Sequence, residues 1–256
     1  MAATEPQPNA EQIEYWNERA GPRWVAAEAL LDQLIGPLGQ LAMNRSGLAA
    51  GQSVLDVGCG CGHTSLELAE RVGATGTVTG IDISKVMLER ARFHAEGLTH
   101  VGFEHADAQI AALPAAHFDL VYSRFGVMFF ADPEAAFANL RSSLKPGGRL
   151  AFVCWQELAR NEWMRVPLAA AAQHVALPAP PEPDAPGPFS FADDERVRRI
   201  LESAGFDAVA FESIEGPLRV GGGGDVDQAV AFLLEVGPLS RVAQEVGPAE
   251  REAVVG

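Results

Sequence analysis

The chain has 256 residues, of which 48% are hydrophobic, so its length and composition suit one α/β domain with a full core, with or without a small cap. Its formal net charge of −15 at pH 7 disfavours binding to nucleic acid through phosphates and binding to an anionic membrane surface. Three cysteines do not form a disulfide framework, and we recognise neither a signal peptide nor an apolar run long enough to cross a bilayer, so we expect a cytoplasmic protein.

Residues 1–50 are predicted to form an N-terminal helical cap. Residues 11–19 and 23–31 have the pattern of two helices, separated by Gly21 and Pro22. The segment is rich in aromatic side chains for its length, namely Tyr15, Trp16 and Trp24. These side chains either dock the segment on the domain or close it over a site, and the two roles are compatible.

A glycine-rich loop follows the first predicted strand, residues 54–57, and precedes a predicted helix over residues 66–71. Glycine lacks a Cβ, so the chain can turn sharply and lie against a ligand. The helix directs its free N–H groups and positive dipole end at the loop, which indicates a nucleotide-type site. The dinucleotide fingerprint G-x-G-x-x-G does not fit, because its last position falls on His63 or Ser65.

The spacing Asp-x-Gly-x-Gly-x-Gly resembles the first motif of the class I S-adenosylmethionine-dependent methyltransferases, which include UbiE-like and other small-molecule enzymes. The resemblance implies a Rossmann-like doubly wound α/β sheet in residues 51–155, with S-adenosylmethionine as cofactor. It also implies a cap that closes over the cofactor and excludes water. The cofactor-binding residues expected from the loop and the cap are Asp56, Gly58, Cys59, Gly60, Gly62, Trp16 and Trp24.

The second predicted strand, residues 76–83, ends in an acid. Asp82 at this tip is placed to accept hydrogen bonds from both ribose hydroxyls. Ser84 is expected to cap the helix over residues 85–94. Ile83 and Met87 are expected to form an apolar wall for the adenine.

The third predicted strand covers residues 101–106. The resemblance implies that Asp107, directly after it, reaches the adenine amino group. The backbone N–H of Ala108 would then meet a ring nitrogen of the base.

The fourth predicted strand, residues 118–123, leads to the methionine end of the site. Backbone carbonyls near Ser123 and Arg124 are expected to accept from the methionine amino group, and Arg124 is also a candidate for a substrate carboxylate. The apolar residues 125–130 either pack in the core or form a floor beside the sulfonium. A helix over residues 134–144 and a fifth strand over residues 149–155 complete this part.

The rest of the chain resembles the family in architecture only. Residues 156–190 are predicted as a substrate-covering insert between strands five and six, mostly helical and then proline-rich. Residues 191–256 are predicted to complete the core with a helix, a sixth strand over residues 206–213, a glycine stretch at 221–224 that is a hinge or a flexible loop, and one or two helices. No seventh strand is visible before Gly256, so either the sheet edge is unusual or the chain is incomplete there.

Methyl transfer from a sulfonium is an in-line displacement that depends on alignment and on the exclusion of water. A general base is needed only when a proton must leave the acceptor early. We therefore assign no catalytic residue and retain Arg124, His63 and Tyr15 as candidates. The alternation of Cys59, Cys61 and His63 lacks the wider spacing of a structural zinc site, so no metal is expected.

The expected function is methylation of a small molecule at oxygen, nitrogen, sulfur or carbon, by a monomer or homodimer. Two alternatives stay open. One is a nicotinamide-dependent oxidoreductase on a similar sheet, and the other is a protein that binds S-adenosylmethionine without catalysis.

Overall fold

A five-stranded parallel sheet forms the centre of the computed structural model, which describes residues 8–182 and 184–246. The strands are β1 (Ser53–Val57), β2 (Thr77–Asp82), β3 (Val101–His105), β4 (Phe118–Arg124) and β5 (Leu144–Val153). Their spatial order is β3-β2-β1-β4-β5, and every neighbouring pair is parallel. The order reverses at β1 and β4, where a crevice at the carboxyl ends of the strands can hold a ligand.

The helices cover both faces of this sheet. They are α1 (Ala10–Glu14), a π-helical turn (Tyr15–Arg19), α2 (Ala20–Ala26), α3 (Glu28–Arg45), α4 (His63–Val72), α5 (Lys85–His94), α6 (Pro133–Ser143), α7 (Glu162–Ala171), α8 (Asp194–Ser203), α9 (Val226–Glu235) and α10 (Pro238–Glu245). Short 3₁₀ turns lie at Val127–Phe129, Leu158–Arg160 and Val220–Gly223. The arrangement confirms the predicted Rossmann-like doubly wound α/β fold.

Strand β1 is buried on both faces, because successive side chains of a strand point in opposite directions. Val54 packs in one cluster with Leu68 and Tyr122, whereas Leu55 and Val57 join the larger cluster on the other side of the sheet. Such double burial fixes the position of the loop that leaves β1.

The N-terminal segment differs from its prediction. Gly21 and Pro22 do not separate two helices, since both lie inside α2. Proline is tolerated there because the N–H groups of the first helical turn have no partner within the helix. The breaks occur instead at the π-helical turn and at Ala27, after which α3 continues to Arg45.

The C-terminal part contains one clear correction. Helix α8 forms as predicted, with the Asp193 carboxylate accepting from the N–H groups at its start. The predicted sixth strand over residues 206–213 does not form, and β5 is the edge of the sheet. Ala208 has a φ of +52°, which interrupts extended backbone, and Arg198 Nη1 donates to the Val209 carbonyl in place of a strand partner.

Some of the remaining C-terminal predictions concern described residues, and others concern residues outside the described part. The glycine stretch after residue 220 forms a 3₁₀ turn, in which a Cβ on Gly221 would lie 2.8 Å from Ala229 Cα of α9. Helices α9 and α10 match the expected helical end, and residues 247–256 lie outside the described part. Within the described ranges, no helix is both long and apolar enough to cross a membrane.

Candidate cofactor and active site

The glycine loop between β1 and α4 depends on its glycines for two physical reasons. Gly58, Gly60 and Gly62 have φ angles of +68°, +55° and +87°. A Cβ on Gly60 would lie 2.9 Å from Met87 Cε, and one on Gly62 would lie 2.9 Å from Ala91 Cβ. The glycines therefore allow left-handed backbone and close packing against the protein, rather than only leaving room for a ligand.

A cavity lies at the carboxyl ends of the strands, beneath the N-terminal helices. Its empty volume is about 990 Å³, which includes space open to solvent. Most residues predicted to bind the cofactor line it, together with the catalytic candidate His63: Gly58, Cys59, Gly60, Asp82, Ile83, Met87, Asp107, Ala108, Arg124, Trp16 and Trp24. Asp56, Gly62, Ser123 and Tyr15 are not among the lining residues.

Asp56 is buried behind the glycine loop. Ser65 Oγ donates to its Oδ2 over 2.6 Å, and Oδ1 has no hydrogen-bond partner in the described part of the chain. Burial raises the pKa of Asp56 to about 7, against the opposing effect of the Ser65 hydrogen bond. Ser123 is equally buried, and its Oγ donates to the Val57 carbonyl over 2.7 Å. Both side chains support the loops around the cavity.

Asp82 joins two loops at the cavity. Its Oδ2 accepts from the Gly60 N–H and its Oδ1 from the Ser84 N–H, each over 2.8 Å. Desolvation raises the pKa of Asp82, and the hydrogen bonds from Ser84 and Gly60 oppose the shift. The carboxylate is thus held between the glycine loop and the start of α5.

Asp107 is held by a residue of the N-terminal segment. Asn9 Nδ2 lies 2.9 Å from Oδ1 and 2.8 Å from Oδ2 of this carboxylate, and the Gln109 N–H donates to Oδ1 over 2.9 Å. The side-chain Oδ1 of Asn9 accepts in turn from the Ala131 N–H over 2.8 Å. Both Asn9 and Asp107 are buried, and Asn9 lines the cavity, which the sequence did not reveal.

The start of α5 corrects another prediction. Ser84 occupies the N-cap position, but its hydroxyl donates to the Trp16 carbonyl over 2.8 Å instead of capping the helix. Asn17 takes that role from a distance, because its Oδ1 accepts from the Lys85 N–H over 2.9 Å. Asn17 Nδ2 also donates to the Ile83 carbonyl over 2.9 Å. The π-helical turn is therefore bonded to the loop that follows Asp82.

Aromatic side chains also line the cavity. The Trp16 ring makes edge contacts with Trp24 and Phe129, at centroid distances of 5.4 and 5.2 Å. Phe125 lines the cavity with a φ of +59° and stacks on Trp155 at 4.3 Å. A bulky residue in left-handed backbone is strained, and such strain occurs often at functional sites. Tyr15 packs against Trp16 from outside the cavity.

Arg124 is already paired with the cap. Its Nη1 lies 2.8 Å from Asp32 Oδ1 of α3, and both residues line the cavity. The partner of Arg124 in this structure is therefore a residue of the same chain, in the position where a substrate carboxylate was considered.

A second polar group joins the cap to α5. Potential metal-ligand atoms of Glu28, His63 and His94 lie within 4.8 Å of one another, a grouping that shares only His63 with the alternating residues considered in the loop. Arg90 is ion-paired with Glu28 Oε1, and the His63 and His94 rings lie 5.0 Å apart. Burial lowers the pKa of His63, which favours its neutral form.

Comparison with known proteins identifies the family. Residues 54–148 match the family model described as a methyltransferase domain. The chain is 40% identical over 118 residues to aklanonic acid methyltransferase DauC of Streptomyces sp. (strain C5), covering 45% of this chain and 54% of that protein. It is 30% identical over 184 residues to demethylmenaquinone methyltransferase of Staphylococcus aureus (strain JH9), covering 68% and 76%. The chain belongs to the class I S-adenosylmethionine-dependent methyltransferases.

A solved structure agrees with the fold of this chain. A S-adenosylmethionine-dependent methyltransferase from Aquifex aeolicus superimposes with a TM-score of 0.51 at 22% identity, over 78% of this chain and 88% of that one. The chain spans 48% to 62% of the length of several curated relatives, including the Streptomyces protein. Family membership disfavours the alternative of a nicotinamide-dependent oxidoreductase.

Proposed function

We propose that this methyltransferase transfers the methyl group of S-adenosylmethionine to a flat, mostly apolar small molecule. The observation that carries the proposal is a cavity lined both by two acids at strand ends, Asp82 and Asp107, and by aromatic rings. Two relatives are named for aklanonic acid and demethylmenaquinone, both small organic acceptors. Aromatic walls bind flat apolar acceptors through stacking and edge contacts.

The cofactor would lie along the strand ends. Asp82 would accept from the ribose hydroxyls and Asp107 from the adenine amino group, while Ile83 and Met87 flank the base. The methionine carboxylate would meet the first turn of α4 beside Thr64, because a helix N-terminus favours an anion. Asp56 would act indirectly, since its carboxylate lies behind the loop.

The cofactor supplies a reactive sulfonium methyl group, and the protein supplies position and a dry site. The cap covers the cavity, and the Trp16, Trp24 and Phe129 rings exclude water from it. Alignment of the acceptor atom with the methyl group then contributes most of the rate. Where the acceptor carries an acidic proton, neutral His63 is the lining residue best suited to accept it.

The test is a methyl-transfer assay with isotope-labelled cofactor and a panel of acceptors: hydroxylated polycyclic aromatics, quinols, simple phenols, amines and thiols. We expect label in the flat aromatic or quinol acceptors, and loss of at least 10-fold in rate at limiting cofactor for Asp82→Asn, because a hydrogen bond to a charged group is lost. Glu89→Gln, on the exposed face of α5, is the matched control. Binding of S-adenosylhomocysteine without transfer to any acceptor would favour the non-catalytic alternative.

A further inference from the structure

The N-terminal segment makes a side-chain contact to each of the two acid-bearing loops. Asn9 bonds to Asp107, and Asn17 bonds to the backbone on either side of Ser84, two residues after Asp82. We infer that Asn9 and Asn17 are positioning residues for the cofactor, Asn9 at its adenine end and Asn17 at its ribose end. The inference rests on the roles proposed above for Asp82 and Asp107.

Asn9 leaves Asp107 with one open direction for a ligand. A carboxylate offers about four acceptor sites, two on each oxygen. Asn9 Nδ2 takes one site on each oxygen, and the Gln109 N–H takes the second site on Oδ1. Within residues 8–182 and 184–246, no hydrogen bond occupies the remaining site, on Oδ2, which can therefore accept the adenine amino group.

The orientation of Asn9 is itself fixed. Its carbonyl oxygen accepts from the Ala131 N–H, so the amide cannot flip without losing this bond. The residue is also only 4% exposed, which limits competition from water. The adenine end is therefore preorganised by the cap, and preorganised groups bind a ligand with a smaller loss of conformational entropy.

Asn17 holds the ribose loop in a similar way. Its amide bridges the Ile83 carbonyl and the Lys85 N–H, each over 2.9 Å, and the Ser84 hydroxyl adds a bond to the Trp16 carbonyl. These three bonds leave the backbone after Asp82 little freedom, which fixes the direction of its carboxylate. The π-helical turn places Asn17 and the Trp16 carbonyl side by side, and such turns occur often at functional sites.

A cap that positions the cofactor and a lid that only excludes water predict different binding of cofactor analogues. A lid that only excludes water would affect all cofactor analogues alike. A cap that positions two specific carboxylates would change the preference for the cofactor groups those carboxylates bind. Selectivity between analogues is therefore the property to measure.

The experiment is calorimetric titration of the full chain with S-adenosylhomocysteine, its analogue lacking the 6-amino group, and its 2′-deoxy analogue. Wild type should prefer the parent compound to each analogue by about 10- to 100-fold, as expected for a hydrogen bond to a charged group. Asn9→Ala should reduce the 6-amino preference at least 5-fold and leave the 2′-hydroxyl preference unchanged. Asn17→Ala should reduce the 2′-hydroxyl preference at least 5-fold and leave the 6-amino preference unchanged. Asn44→Ala, at the exposed end of α3, is the matched control and should change neither.

Thermal unfolding checks that each variant folds. If Asn17→Ala does not fold, Asn17→Asp replaces it, because this variant retains the acceptor for the Lys85 N–H and removes the donor to the Ile83 carbonyl. If Asn9→Ala does not fold, Asn9→Ser replaces it. Equal weakening of all three ligands by either asparagine variant, or unchanged preferences, would overturn the inference. Asp82→Asn and Asp107→Asn locate the failure: if Asp107→Asn keeps the 6-amino preference, the role proposed for Asp107 is wrong and the Asn9 inference falls with it.

Discussion

Gly58 and Gly126 pack backbone against backbone at the base of the cavity. A Cβ on Gly58 would lie 2.8 Å from Gly126 Cα, and a Cβ on Gly126 would lie 3.0 Å from Gly58 Cα. Gly58 follows β1 and Gly126 follows β4, so the two residues flank the point where the strand order reverses. The close approach of these two loops shapes the crevice in which the cofactor is proposed to lie.

Gly126→Ala should destabilise the protein and weaken cofactor binding. The backbone at Gly126 suits alanine, with a φ of −89°, but the new Cβ would lie 2.8 Å from the Val57 carbonyl oxygen. Overpacking of this kind costs about 1–3 kcal/mol. Chemical denaturation and titration with S-adenosylhomocysteine measure the two effects. Gly216→Ala has nothing within 4 Å of its Cβ and is the control. A stable variant of unchanged affinity would show that the loops adjust freely.

Asp56 should make stability depend on pH in a defined direction. Its pKa is raised from 3.8 to about 7, so the folded state holds a proton that the unfolded chain releases. The resulting stability is complete below pH 3.8 and is lost as the pH rises through about 7. The free energy of unfolding of wild type should therefore fall relative to that of Asp56→Asn across this pH window. Above the window, the two curves of unfolding free energy against pH should run parallel. Denaturation curves at several pH values test this, and a constant difference at all pH values would contradict it.

The Asp32–Arg124 ion pair should couple the cap to the sheet. Arg124 is only 12% exposed and Asp32 is 31% exposed, so the pair is partly shielded from solvent. Removal of one partner leaves the other unpaired near the cavity, so Asp32→Asn and Arg124→Met should each destabilise the protein. The double variant should lose less stability than the sum of the losses in the two single variants. A double-mutant cycle measures the coupling, which we expect to be about 1 kcal/mol. Additive effects would indicate that the pair contributes nothing.

Asn17 rather than Ser84 should protect the first N–H of α5. The Lys85 N–H donates to Asn17 Oδ1, whereas the Ser84 hydroxyl donates to the Trp16 carbonyl. Asn17→Ala should therefore speed hydrogen exchange at the Lys85 amide, and Ser84→Ala should change it much less. Exchange measured by NMR distinguishes the two. Faster exchange at the Val86 or Met87 amide in Ser84→Ala would instead indicate the local cap that the sequence predicts.

Local sequence patterns predicted the parts of the site that are built within one strand and its following loop. The glycine loop, Asp82 and Asp107 are examples, because an acid at or just after the end of a parallel strand lies at the carboxyl end of the sheet. Ser84 shows the limit of this approach. Its position satisfies a local capping rule, but its hydroxyl instead donates to a tertiary partner, the Trp16 carbonyl.

Residues that reach the site from distant segments could not be predicted. Asn9 and Asp32 come from the N-terminal segment, and their partners Asp107 and Arg124 lie far along the chain. No periodicity relates such pairs. The prediction of a sixth strand was wrong for a different reason. Residues 206–213 have a strand-like composition, but the residue type does not encode the left-handed backbone at Ala208.

The central claim is that the cavity beneath the cap holds S-adenosylmethionine through the acid at the end of β2. Calorimetric titration of S-adenosylhomocysteine into wild type and Asp82→Asn tests it most directly. We predict a clear binding heat for wild type and an affinity at least 10-fold lower for Asp82→Asn, because a hydrogen bond to a charged group is lost. No heat with wild type, or equal affinity for the two proteins, would contradict the claim.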